Sequence, residues 1–371
     1  MIKTLQAARA LAAISVAAFH LSIAMGLPRY GGEQVFFDWT RHIGGVRFFF
    51  VLSGFIILFA HHREIGQPSA WWPYIYRRFI RLYPIYWLYN IPFCLLVAAG
   101  FGTDARIPSS LGDWITSFTL IRFTAAVTPL TVAWSLFHEV AFYAVFSLLI
   151  LNRRLGMAGF AAAAVFCVMY YNYPSVAERN AGNVYTAAFN LYFLFGMGAF
   201  YLYRRGGRGW IELVAGVGIS IAALAAPPLP HELSYLVLIL GFAFLLAGAA
   251  KLETAQYFRV PAVLVALGNA SYTIYLIHEQ LQGLLLKLLI RSHLAALIGP
   301  RCTYLLVLMG AVGLGYAVYL AIERPLTEAL RRRYRAARGS GSAVHAVPSS
   351  PCTEPPAAGM PRDPTAATKS A

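Results

Sequence analysis

The apolar residues of this chain come in blocks of about 20, the length at which an α-helix crosses a hydrocarbon layer ~30 Å thick. Ten blocks can be read, over residues 5–25, 43–61, 79–100, 131–151, 156–173, 185–203, 210–226, 233–250, 263–290 and 302–323. The seventh is Gly- and Ala-rich. No soluble core needs so much apolar surface: 59% of the 371 residues are hydrophobic and 12% charged, against roughly 25% charged in a soluble domain. The fold class expected is all-α, a polytopic membrane protein of about ten transmembrane helices. Lys3 and the Ser22-x-Ala24 tripeptide give the first block the look of a secretory signal. Arg9 inside it, and the nine blocks that follow, predict a helix that is retained instead.

The net charge of +15 bears on orientation rather than on nucleic acid. With the N-terminus inside, seventeen Lys and Arg fall in inner loops and the C-terminal segment, and seven in outer loops. That bias is the positive-inside signal, and it predicts cytoplasmic N- and C-termini. Arg331, Arg332, Arg333, Arg335 and Arg338 form a basic cluster suited to anionic lipid headgroups. Beyond it the composition turns to Gly, Ser, Pro and Ala, too poor in large apolar residues to bury a core. The chain therefore divides into a membrane domain, 1–338, and a disordered cytoplasmic tail, 339–371. The longest outer loop, 101–130, is expected to lay "LGDWITSFTLI" along the membrane surface.

Several familiar chemistries are missing. Cys94, Cys167, Cys302 and Cys352 lie far apart, without C-x-x-C or metal-ligand spacing. The His-Glu pairs at 138, 231 and 278 lack the second His of a zinc protease, so no metal is expected. Neither a G-x-S-x-G nucleophile elbow nor the His-x4-Asp of soluble glycerolipid acyltransferases is present.

What remains are polar groups inside apolar spans, which are costly in lipid and so mark function by default. Arg9 and His20 are eleven residues apart, which returns to within about 20° of one helix face and separates them by ~16 Å along the axis. In the third span Arg78 and Arg81 share a face one turn apart. With Arg9 they make a layer at the inner leaflet where three guanidiniums can grip a polyanion. By rise per residue, Glu139 in the fourth span and His278 in the ninth fall in the outer layer with His20. A carboxylate beside a buried imidazole fixes its tautomer and suits a general base. Gly44, Gly45 and Gly54 in the second span permit close helix approach or a kink. Glu323 ends the last span, which Pro325 stops.

In chain order, R-x10-H, "FFFVLSGF", R-x-x-R, "WSLFHEVAFY", "SYTIYLIH" and a terminal E-x-P resemble acyltransferase family 3, polytopic O-acyltransferases of bacterial glycans. The opening "LQAARALAAISVAAFH" is most similar to its exopolysaccharide O-acetyltransferase branch. The resemblance covers about 320 residues. It implies ten core helices in the bacterial inner membrane, a cytoplasmic acyl-CoA donor such as acetyl-CoA, and a glycan or lipid-linked saccharide acceptor. In that frame Arg9, Arg78 and Arg81 hold the CoA phosphates. His20, with Glu139 and His278, activates the acceptor hydroxyl, and the Arg9–His20 separation is comparable to an extended phosphopantetheine arm. Two positions depart from the family: Arg47 stands where many members carry Asp, and Val140 where they carry a second Glu. A flippase for lipid-linked glycan, and an acylase of macrolide or peptidoglycan, are the alternatives.

Overall fold

The computed structural model describes residues 2–101, 105–126, 128–170, 181–225 and 231–343. Among them the regular structure is all helix, with no strand. The order is α1 Lys3–Met25, α2 Phe37–Ile43, α3 Gly45–His61, α4 Trp71–Ala98, α5 Leu111–Thr119, α6 Trp134–Leu151, α7 Arg153–Met169 and α8 Asn183–Thr186. It continues with α9 Phe189–Arg204, α10 Trp210–Ala225, α11 His231–Thr254, α12 Ala262–Asn269, α13 Ser271–Arg291, α14 Leu294–Val318 and α15 Arg324–Ala343. One π-helical turn, Tyr319–Glu323, joins α14 to α15.

Among the described residues, six stretches are both long and apolar enough to cross a membrane: Lys3–Met25, Phe37–His61, Pro68–Ala98, Thr131–Leu151, Ser234–Thr254 and Leu294–Tyr334. The chain is thus built as a multi-pass membrane protein. The other four predicted spans are helical as well, but α7, α9 and α10 have only 17, 16 and 16 residues, short for a ~30 Å layer at 1.5 Å per residue. The ninth predicted span is broken into α12 and α13 at Ala270, and α13 carries His278, Glu279, Gln280, Gln282 and Lys287. Ten crossings and cytoplasmic termini are expectations of the sequence alone.

The packed body runs to Glu328, and a second unit begins at Ala329. α15 continues to Ala343, past the expected boundary at 338. Residues 344–371 of the expected tail, residues 171–173 of the fifth span and residue 226 of the seventh lie outside the described residues.

α1 is the central post, in contact with α2, α3, α11, α12, α13 and α14. Its sequence explains this: Ala10, Ala12, Ala13 and Ala17 are at most 2% exposed, and small side chains let several helices approach one backbone closely. The glycines act similarly between α3 and α9. A Cβ on Gly54 would sit 2.0 Å from the Phe193 carbonyl oxygen, and one on Gly196 2.0 Å from that of Val51. Alanine at either site forces the two helices apart.

The stretch expected to lie along the membrane surface is divided: α5 is exposed at its start, with Leu111 77% exposed, and its last turn enters the bundle. The Tyr83 hydroxyl donates to the Thr119 carbonyl at 2.5 Å, the Tyr86 hydroxyl to Ser117 at 2.7 Å, and the Trp87 indole N–H to Phe118 at 2.8 Å. These three donors lie near the middle of α4, and they satisfy the carbonyls that a helix end leaves open. Irregular backbone at that depth is tolerable only where protein buries it, and Leu120, at φ 54°, is 0% exposed. The segment then leads to Thr131 and α6, so the fourth span starts already deep inside the bundle.

Candidate active site

One end of the site is built around His20. His20 Nδ1 lies 2.8 Å from His278 Nε2 and 3.0 Å from Glu279 Oε1. His278 Nδ1 is 2.7 Å from the Tyr275 carbonyl. A carbonyl only accepts, so His278 carries its proton on Nδ1 and presents a lone pair at Nε2. His20 Nδ1 therefore faces two acceptors and must be the donor. In the neutral form of the ring, the lone pair is then on Nε2. Glu279 is anchored in turn by the Thr131 hydroxyl. The Gln282 side chain donates to the Ala17 carbonyl at 2.7 Å, pinning α13 against α1 one turn from His20. The Tyr275 hydroxyl, at 2.7 Å from Ser135 Oγ and 2.8 Å from the Val132 carbonyl, ties α13 to the start of α6.

Exposure separates the roles. His278 is 1% exposed, whereas the His20 side chain keeps 21% of its surface and Glu279 33%. His20 is the accessible ring of the pair, and His278 the buried one. Ligand-type atoms of His20, His278 and Glu279 all lie within 4.8 Å of one another. Two imidazoles and a carboxylate are also a donor set that a divalent transition metal accepts. The 2.8 Å contact between the rings is a hydrogen bond from His20 Nδ1–H to His278 Nε2, so Nε2 is the basic nitrogen of a neutral His20.

The other end gathers the arginines. Arg9 on α1 is within electrostatic reach of Arg81, Glu323, Glu139 and Tyr143. Arg81 meets Glu323 at 3.2 Å and lies over the Tyr272 ring. Glu323 is 2% exposed and accepts from the Thr273 N–H at 3.2 Å and its hydroxyl at 2.6 Å. The Tyr89 hydroxyl reaches Thr273 Oγ1 at 2.9 Å. Arg78 lies over Tyr74 and Tyr143, and the Tyr143 hydroxyl donates to Glu139. The structure thus brings Arg9, Arg78 and Arg81 into one region, as the spacing predicts.

Glu139 is the correction. The sequence reading places it beside His20; the structure places it with Tyr143, within reach of Arg9. The cause is the full or partial burial of residues 117–120 and 128–130 ahead of α6. Because Thr131 is already at the height of Glu279, a residue eight positions further along lies ~12 Å deeper by rise per residue. Glu279 takes the place expected for Glu139. The adjacency of Glu279 to His278 was visible, and a carboxylate next to an intramembrane histidine was the available signal. The sequence marks Glu323 only as the end of a helix. The π-helical turn that aims it at Arg81 has no signature in the sequence, although such turns recur at functional sites.

Residues 2–320 match the family described as an acyltransferase domain, acyltransferase 3. The match includes every residue of both ends except Glu323. The chain is also similar to the exopolysaccharide production protein ExoZ of Rhizobium meliloti (strain 1021), 26% identical over 349 residues, which cover 85% of this chain and 99% of that protein. No solved structure matches.

Proposed function

This chain belongs to that acyltransferase family, and on that premise we propose that it moves an acyl group, acetyl by preference, from cytoplasmic acyl-CoA to a hydroxyl of an exported glycan. The ExoZ likeness favours an exopolysaccharide or its lipid-linked precursor as acceptor. The enzyme sits in the bacterial inner membrane with both termini cytoplasmic, so the arginine end faces the donor and the histidine end the acceptor.

In the proposed step the acceptor O–H gives its proton to His20 Nε2 while its oxygen attacks the thioester carbonyl carbon. The C–O bond forms, the C–S bond breaks, and the CoA sulfur leaves, taking the proton back from His20. Glu279 steadies the transient imidazolium through Nδ1–H, and His278 holds the ring in register. Arg9, Arg78 and Arg81 grip the donor's phosphates, which carry no part in the bond changes. The reading rests most on one observation: the only nitrogen of His20 free to take a proton is on the substrate-accessible ring, on the helix that also carries Arg9.

The test uses membranes supplied with radiolabelled acetyl-CoA and bacterial exopolysaccharide. His20→Ala is expected to lower transfer by about 10²–10⁴-fold, the usual worth of a positioned base, while still binding acetyl-CoA. Arg78→Ala/Arg81→Ala is expected to lose acetyl-CoA binding. Transfer at the wild-type rate by His20→Ala overturns the mechanism.

A further inference from the structure

The arginines of the donor end are not equivalent. Arg77 gives Nη2 to both oxygens of Glu64, at 2.8 and 2.7 Å. Arg81 is paired with Glu323 at 3.2 Å. Arg78 has no carboxylate at ion-pair distance among the described residues. Its Nη2 lies 3.2 Å from His61 Nε2, and its guanidinium rests over the faces of Tyr74 and Tyr143, at 5.9 and 5.7 Å. Its Nε is buried without an acceptor among the described residues.

His61, the last residue of α3, is 2% exposed and is held edge-on against Tyr74 at 5.0 Å and Phe146 at 6.4 Å. Its Nδ1 lies 2.8 Å from Glu64 Oε2. A carboxylate accepts only, so Nδ1 carries the proton and Nε2 offers a lone pair to Arg78. A neutral imidazole can therefore orient the guanidinium without cancelling its charge, which a carboxylate in the same place would do. Arginine keeps its proton throughout. The charge of Arg78 is directed but unspent.

Resting on the donor reading above, we propose that Glu64 and His61 are positioning residues that hold Arg78 as a cation without a paired carboxylate for a phosphate group of the donor, and that Arg78 therefore contributes more to donor affinity than Arg81, whose charge is paired with Glu323. Arg77 serves the relay by fixing Glu64. The arrangement selects phosphate by charge and by guanidinium orientation, and it leaves the acyl-bearing pantetheine arm to other residues.

The purified full-length chain in nanodiscs would be tested for binding of acetyl-CoA and, separately, of acetyl-pantetheine, which lacks the phosphates. His61→Leu keeps an apolar filler between Tyr74 and Phe146 but removes the acceptor; His61→Gln keeps a carbonyl oxygen able to accept. His61→Leu is expected to weaken acetyl-CoA binding about tenfold, near 1.4 kcal/mol, and to leave acetyl-pantetheine binding unchanged. His61→Gln is expected to restore acetyl-CoA affinity to within about threefold of wild type. Equal loss for both ligands, or no rescue by Gln, assigns His61 a packing role and overturns the relay. Wild-type affinity in His61→Leu overturns it too. Failure of the wild type to bind acetyl-CoA sinks the donor reading, and the relay with it.

Discussion

The two ends of the site hold a carboxylate in the same way and use it differently. At the histidine end, Glu279 receives the Thr131 hydroxyl and faces a titratable ring, His20. At the arginine end, Glu323 receives the Thr273 hydroxyl and faces a permanent cation, Arg81. A charge opposite a base has its greatest effect when that base becomes protonated, as the proposed step requires. A charge opposite a guanidinium is fully engaged before any substrate arrives. The first arrangement should therefore govern rate, and the second affinity and stability.

The strongest attempt to break this contrast is the pair Glu279→Gln and Glu139→Gln. Glu279→Gln removes the charge that stabilises the His20 imidazolium and is expected to lower kcat by roughly 10²-fold, within the range for acid–base devices, with little change in donor affinity. Glu139→Gln, whose carboxylate meets Tyr143 on the arginine side, is expected to spare kcat by comparison and to alter the KM for acyl-CoA. Steady-state kinetics with both substrates varied would show it. The opposite pattern would return Glu139 to His20 and sever the assignment made from the hydrogen bonds.

That reversal shows where the sequence is legible. The arginine layer could be read because three of its members, Arg9, Arg78 and Arg81, are costly charges in apolar runs, at spacings that helical geometry converts directly into faces. The long helices were legible for the same reason: blocks of apolar residues need only counting. Glu139 was misplaced because depth was reckoned from the outer end of a span, and that end is set by tertiary structure. Tyr83, Tyr86 and Trp87 donate to three successive carbonyls and draw residues 117–119 into the bundle. No local pattern in "LGDWITSFTLI" announces partners some thirty residues earlier. Glu279 was visible but unranked, since which of two adjacent residues meets His20 depends on how α13 is turned, and Gln282 on Ala17 sets that turn. His61 carries no signal in the sequence, because a histidine at a helix end has an ordinary explanation until its two nitrogens are assigned.

A smaller but sharper effect is expected at Arg81. Its replacement by Ala leaves Glu323, 2% exposed, without its cation, which for a buried pair costs on the order of 3 kcal/mol. Thermal unfolding in detergent should register the loss. Adding Glu323→Gln to the same chain should recover much of it, because a neutral amide can still accept from Thr273. Glu279→Gln alone, which strands no cation, should unfold near the wild-type temperature. If Arg81→Ala were as stable as wild type while Glu279→Gln unfolded early, the division of labour between the ends would be the reverse of the one argued here.

The finest test uses the two threonines, since each does the same local job at opposite ends. Valine has nearly the shape of threonine, so Thr131→Val and Thr273→Val delete one hydroxyl each with little change in packing. A hydrogen bond to a charged acceptor is worth about 1.5–3 kcal/mol when lost, and partial compensation by the remaining partners should reduce that to a few-fold change in the kinetics. For Thr131→Val the change should fall on kcat, because Glu279 loses its anchor while His20 must still become a cation in the reaction. For Thr273→Val it should fall on the KM for acyl-CoA, because Glu323 keeps the Thr273 N–H and Arg81 but holds that arginine less firmly. The two variants share a chemistry and differ only in address. A kcat effect from one and a KM effect from the other would tie the address to the function, whereas two identical effects would mean that the ends act as a single polar core.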